Sequence, residues 1–186
     1  MSSSDRISGK ARVIAALSGL ETDRIPVVAP TSVATLESMQ KVKAFFPRAH
    51  TDARQMAALA AAGHELFDFD TVAPYFSIVL EAAALGCDVE WGEVETMPLV
   101  KSNPLERWES WSIPKNFLSR HPIKSLLESI SMLKKRYEER VAVVGKVIGP
   151  WTLAYHLCGV QNFLTFGYDW RKYNFSWRRQ QPSNSA

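Results

Sequence analysis

The chain alternates between two kinds of apolar pattern. Behind the polar opening SSSDRISGK, apolar residues fall at Val13, Ile14, Ala16 and Leu17. That rhythm predicts a helix, with Gly19 as its stop. Residues 25–29 (IPVVA) then form an unbroken apolar run with Pro26 at its start, where a strand tolerates proline, so a first buried strand is expected. TSVATLESMQKVKAFF reads as helix, and HTDARQMAALAAAGHELFDF is the clearest helix of the chain. It is rich in Ala, Met and Leu and can be capped by Thr51 or Asp52. DTVAPYFSIV follows as a second strand running into a loop. EAAALGCDVEWGEVETMPLV joins a short helical piece to an extended piece punctuated by Gly.

KSNPLERWESWSIPKNFLSRHP, rich in Pro, Trp and Ser, predicts a long excursion over one end of the domain. IKSLLESISMLKKRYEERV is amphipathic, with Leu126, Leu127, Ile130 and Leu133 on one side. AVVGKVIGP is a third strand that leaves through a tight Gly-Pro turn into the apolar helix WTLAYHLC. Strands without alternation, separated by helices, predict a parallel sheet covered by helices, an α/β fold. Strand starts lie roughly 45 to 70 residues apart, so the units carry insertions.

Composition adds little until it is mapped. An apolar share of 46% and a charged share of 22% suit an ordinary globular domain with a real core. The net charge of +3 lies wholly in residues 168–186, where four bases face Asp169 alone; the remaining 18 bases and 18 acids cancel. A neutral body argues against nucleic acid as a partner. No run of about 20 apolar residues predicts a membrane span. The opening lacks an apolar signal core, and two scattered cysteines make no disulfide framework, so a cytoplasmic location is expected.

Candidate chemistry is sparse. There is no Gly-rich phosphate loop, no G-x-S-x-G elbow and no His-Glu-x-x-His. His156 and Cys158 suggest a metal, but residues two apart on a helix point about 200° away from each other, so one ion cannot take both. A core helix holding both is the reading adopted. His64 is expected as a polar edge or a satisfied buried group. Trp91, Trp108 and Trp111 lack interleaved bases and read as lid packing rather than a stacking platform. Glu81 stands among apolar residues, where a carboxylate is costly unless paired or facing a cavity. It either flanks a helix start, where negative charge is favoured, or faces a pocket.

Four segments, RVIAALSGLETDRIPVV, HTDARQMAALAAAGHELFDFDTV, EAAALGCDVEWG and VIGPWTLAYHLCGVQNFL, resemble the uroporphyrinogen decarboxylase superfamily. The second and third resemble its corrinoid-dependent branch, the methylcobalamin:coenzyme M methyltransferases. The resemblance implies a (β/α)8 TIM barrel with its pocket at the strand C-terminal ends. It also implies methyl transfer between a corrinoid carried by a partner protein and a zinc-activated thiol such as coenzyme M. Decarboxylation of a porphyrinogen is not expected. VVAPTSVATLES has no arginine where the decarboxylases carry an Arg-rich loop, and Ser77 and Ile78 stand where they carry an aspartate. The branch places its zinc ligands, a His-x-Cys and a later Cys, in the second half of the barrel, so that role is not carried onto His156 or Cys158.

A closed barrel takes about 250 residues, so three to four βα units predict an incomplete one. The expectation is residues 1–167 as the N-terminal part of the barrel and 168–186 as a basic, unpatterned tail of a truncated or frameshifted product, inactive alone. Pro30, Thr31, Tyr75, Ser77, Glu81 and Trp151 are expected as pocket walls, with no catalytic residue and no metal ligand in this chain. Expected partners are a corrinoid protein or a complementary barrel half, and a thiol substrate. A tetrapyrrole enzyme of the decarboxylase type and a non-enzymatic half-barrel interaction module are the alternatives.

Overall fold

The computed structural model describes residues 7–104 and 112–169. Helix α1 (Gly9–Leu17) starts at Ser8, whose hydroxyl accepts from the Ala11 N–H at 3.2 Å. Helix α2 (Leu36–Val42) carries a reciprocal cap between Thr35 and Ser38. Helix α3 (Ala53–Phe67) is capped by Asp52, which accepts from the Gln55 N–H at 2.9 Å. Each cap satisfies a helix-end donor that would otherwise lack a partner.

The central sheet is short. Strand β1 (Thr71–Val72) pairs in parallel with β4 (Ala142–Val143), Thr71 opposite Ala142 and Val72 opposite Val143. Each follows a long helix, β1 after α3 and β4 after α5 (Ile123–Tyr137). The two helices pack on each other and on the strands. Met56, Leu59, Ala60 and Ala61 of α3 share one core with Leu126, Leu133 and Tyr137 of α5 and with Val72, Leu80 and Val141. Between the strands lie α4 (Leu80–Ala84) and an antiparallel hairpin, β2 (Asp88–Glu90) with β3 (Leu99–Ser102). Gly92 opens the hairpin loop at φ 72°, where a Cβ would stand 2.7 Å from the Thr96 carbonyl oxygen, so only glycine fits. Helices α6 (Pro150–Cys158) and α7 (Val160–Asp169) close the described chain.

Parallel strands, each preceded by a covering helix, are the layered arrangement expected of part of a (β/α)8 barrel. Several expectations need correction. Residues 25–29 form no ladder strand and are not buried: Ile25 is 86% exposed, with Val27 and Val28 about half so. The run is tied to β1 and the residue before it by the Asp70 N–H to the Val27 carbonyl, 2.8 Å, the Val27 N–H to the Asp70 carboxylate, 2.8 Å, and the Ala29 N–H to the Thr71 hydroxyl, 3.2 Å, which make no ladder. No described element covers its outer side, so its apolar residues stay in water. The second and third strands are two residues long, and residues 144–149 run on without a tight turn into α6. Leu127, assigned to the buried side of α5, is 41% exposed, because the buried face of that helix runs through Leu126, Ser129, Leu133 and Tyr137 and Leu127 lies off it. Helix α6 is not a core helix: Leu157 is its sole buried residue.

The boundary placed at 167 falls inside α7, and the tail from 170 lies outside the described residues, as do Trp108 and Trp111 of the excursion. No helix among the described residues is long and apolar enough to cross a membrane.

Candidate functional site

The C-terminal ends of the strands converge on Glu81. It sits in the first turn of α4, as the helix-start reading had it, but its carboxylate turns inward and is buried. Oε2 accepts from the Tyr75 hydroxyl at 2.6 Å, and Oε1 accepts from the Ile148 N–H at 2.9 Å. The carboxylate thus ties the stretch leaving β1 to the stretch leaving β4. Burial, then the bond to Glu81, push the Tyr75 phenol well above its ordinary range, so it stays a donor.

Around this pair stand residues of all three strand-like segments. Ser32, held at φ 68°, donates its hydroxyl to the Tyr75 carbonyl at 2.8 Å. Ser77 is buried and accepts from the Val79 N–H at 3.3 Å, turning the chain into α4. Lys146 lays its ammonium 4.8 Å from the centre of the Tyr75 ring and 3.5 Å from the Thr31 carbonyl. Of the six expected wall residues, Tyr75, Ser77 and Glu81 are buried together here, and Thr31 joins through its carbonyl. Pro30 is exposed beside Thr31. Trp151 is 67% exposed and rests edge-on against Phe163, centroids 4.5 Å apart.

Lys146 and Ser32 were not singled out in the sequence. Lys146 sits in GKVIGP, where flanking glycines suggest a turn and nothing in the pattern says which way a lone lysine points.

A second polar cluster occupies the opposite ends of the strands. Arg12 is buried and forks onto Asp23, Nε to Oδ1 at 2.6 Å and Nη2 to Oδ2 at 2.7 Å, while its Nη1 reaches Asp70 at 2.6 Å. Arg24 takes both Asp70 oxygens, at 2.7 and 2.9 Å, and the Val27 N–H donates to Asp70 at 2.8 Å. Burial raises the Asp70 carboxyl, but the Arg24 bonds, the Val27 N–H and the Arg12 charge outweigh it and hold the group below its ordinary value. Asp70 immediately precedes β1, so this network lies at the strand N-terminal ends, the face of a barrel that serves stability.

The zinc implied by the resemblance does not fit the described residues. Cys87 donates its thiol to the His156 carbonyl at 3.3 Å, and burial pushes it up to about 11. Cys158 donates to the Ala154 carbonyl at 3.0 Å within α6, and burial raises it too. A metal takes thiolates, and here both sulfurs are turned to backbone carbonyls instead of toward a shared site. His156 and Cys158 occupy one helix at the spacing that separates their directions, and no group of three metal-ligating side chains is found among the described residues. His64, by contrast, is satisfied as expected, its Nδ1 2.7 Å from the Phe69 carbonyl.

Comparison with known proteins gives the same frame. The chain is 36% identical over 151 residues to a methylcobamide:CoM methyltransferase of Methanosarcina mazei, covering 81% of this chain and 44% of that one. It is 33% identical over 156 residues to a methylcobamide:CoM methyltransferase of Methanosarcina barkeri, covering 83% and 46%. A solved methyltransferase from Methanosarcina mazei superposes with a TM-score of 0.85 at 31% identity, over 90% of this chain and 50% of that one. The chain therefore spans about half the length of the relatives it matches, and its incomplete sheet is part of their larger fold. The sequence pattern of the uroporphyrinogen decarboxylase (URO-D) family matches residues 8–178. With that match over most of its length, and with methylcobamide:CoM methyltransferases among its relatives, the chain belongs to the uroporphyrinogen decarboxylase family.

Proposed function

We propose that these 186 residues provide the N-terminal half of a corrinoid-dependent methyltransferase barrel. They would line the pocket in which a methyl group passes between a methylcobalamin-type corrinoid, carried by a partner protein, and a small thiol. The observation that carries this reading is the convergence of Thr31, Tyr75, Glu81 and Lys146 at the strand C-terminal ends, the pocket end of such barrels. Glu81 and Tyr75 act as a clamp: their bond and the Ile148 N–H fix two strand ends relative to each other, which a pocket wall needs. Pro30, Ser77 and Trp151 complete the wall. Metal ligation falls to residues outside this span, so the chain by itself does not turn over.

A graft tests this. The 151-residue stretch of this chain that aligns with the Methanosarcina mazei methylcobamide:CoM methyltransferase replaces its counterpart in that enzyme. Demethylation of methylcobalamin by 2-mercaptoethanesulfonate is then followed by absorbance, beside the 186-residue chain alone. The folded graft is expected to turn over and the chain alone is not. A folded but silent graft overturns the methyltransferase reading. Turnover by the chain alone overturns its assignment as wall without catalyst.

A further inference from the structure

Lys146 is an ammonium with most of its bonding capacity unspent. A lysine offers three donors. Here one makes a long contact to the Thr31 carbonyl, 3.5 Å, and the charge rests over the Tyr75 ring, 4.8 Å from its centre. It makes no ion pair with a carboxylate among the described residues. Glu81 is near enough to act on it through space, yet both Glu81 oxygens are already engaged by Tyr75 and Ile148. The lysine is half-buried, and on either side of it Gly145 and Gly149 have nothing within 4 Å of where a Cβ would stand. The approach along 145–149 is therefore open. A partly desolvated cation held by one weak acceptor and a ring face is a poor structural element, because partial burial weakens its hydration and no anion compensates.

We propose that Lys146 is the anion-binding residue of the pocket, taking the acidic oxygens of a small substrate, a sulfonate, carboxylate or phosphate group. This rests on the reading that the strand C-terminal ends form a substrate site, and it deepens that reading by assigning the residue that holds the substrate's anionic end. Burial lowers the ammonium's pKa and Glu81 raises it in part, so the group gains from a bound anion. Thr31 and Tyr75 fix where the ammonium stands, and with it the distance between the anionic end of the substrate and its reacting end. Tyr75 is itself fixed by Glu81 and Ser32. Lys146 is thus a specificity-determining residue that need take no part in bond making.

The test uses the 186-residue chain and two variants, Lys146→Gln and Lys146→Arg. Ethanesulfonate, 2-mercaptoethanesulfonate, 3-mercaptopropionate and uncharged 2-mercaptoethanol are titrated at low salt while the amide signals of residues 145–149 are followed by NMR. The anions are expected to shift these signals saturably and the neutral thiol is not. Lys146→Gln should weaken the anions at least tenfold, and Lys146→Arg should hold them within about threefold, since the charge is kept. Anions that leave these signals unmoved, a neutral thiol that binds as well as the anions, or a Lys146→Gln chain that binds undiminished each overturns the assignment. The relative affinity of sulfonate and carboxylate says which acidic group fits. Turnover by the graft together with no anion effect here sinks Lys146 alone. Anion binding with a silent graft sinks the methyl-transfer reading alone.

Discussion

At the residue scale, two buried groups set the behaviour of the chain. Glu81 accepts one bond from Tyr75, buried in the interior, and one from the half-buried Ile148 N–H. Removing an acceptor and leaving its donors unpaired costs about 1–3 kcal/mol for each donor. Glu81→Ala should therefore lose roughly 2–4 kcal/mol in urea unfolding, whereas Tyr75→Phe, which deletes one donor and leaves one oxygen free, should lose about half as much or less. The second group is His50. Its ring is fully buried, stacked on Phe46 at 4.1 Å, and neither nitrogen has a partner. Burial lowers its pKa from 6.5 to about 4. Above neutral pH both folded and unfolded chains hold the imidazole uncharged. Between pH 6.5 and about 4 the unfolded chain gains a proton that the folded chain refuses, so stability falls as pH drops through that window. The loss should reach about 2–3 kcal/mol by pH 4, from a shift of that size. His50→Phe should flatten the stability curve over that window. The carboxylates act separately: the stability Asp70 contributes is present above its unfolded value of 3.8 and is lost only as pH falls below that. A curve that is flat down to pH 4 in the parent chain would show that His50 is not buried as a neutral base.

At the element scale, the packing of α3 on α5 carries the fold. Leu133 is buried between them and Leu127, six residues earlier on the same helix, is not. Leu133→Ala should cost about 2–5 kcal/mol, the usual range for a buried leucine, and Leu127→Ala within about 0.5 kcal/mol, as for most surface changes. Gly63 lies inside α3, where a Cβ would meet only the Phe69 ring, at an ordinary 3.5 Å. Gly63→Ala should therefore stabilise the chain by about 0.5–1 kcal/mol through helix propensity. Chemical denaturation of the three variants checks all of this, and equal losses for the two leucine changes would contradict the assigned helix face.

At the scale of the whole molecule, the apolar surface is uneven. Val147 is 80% exposed and Trp151 67%, and Ile25, Val160 and Leu164 are also open to water. Exposed apolar residues scattered singly are normal, but Val147, Trp151, Val160 and Leu164 fall on the segment leaving β4 and on α6 and α7, on the side of the proposed pocket. In the graft this surface should be covered by the rest of the barrel. The fluorescence lost on Trp151→Phe should then lie further to the blue, and be less accessible to acrylamide, than in the 186-residue chain. A Trp151 equally open in both would mean that α6 does not face the barrel partner.

Local pattern alone outlined most of the helices, because a helix is written within its own residues, although α2 is shorter than the stretch 31–46 that reads as helix and α7 is not read from it. Caps at Ser8 and Asp52, the alanine-rich face of α3, the stop near Gly19 and the proline opening α6 are all close-range signals. The family was also legible, since four short segments carry it. Strands were legible only in outline. An apolar run such as IPVVA says that a strand could form, but a ladder needs a neighbour, and the described chain gives residues 25–29 just one. The site was half legible. Glu81 declared itself by its apolar surroundings, yet its partners Tyr75 and Ile148 lie 6 and 67 residues away, and no local signal points across that second distance. Lys146 and the Arg12–Asp23–Arg24–Asp70 network were decided by tertiary structure alone. A charged side chain takes its role from whatever opposite charge, ring or carbonyl the fold brings within about 3–5 Å, and Coulomb forces and hydrogen bonds respond to that distance and not to sequence separation.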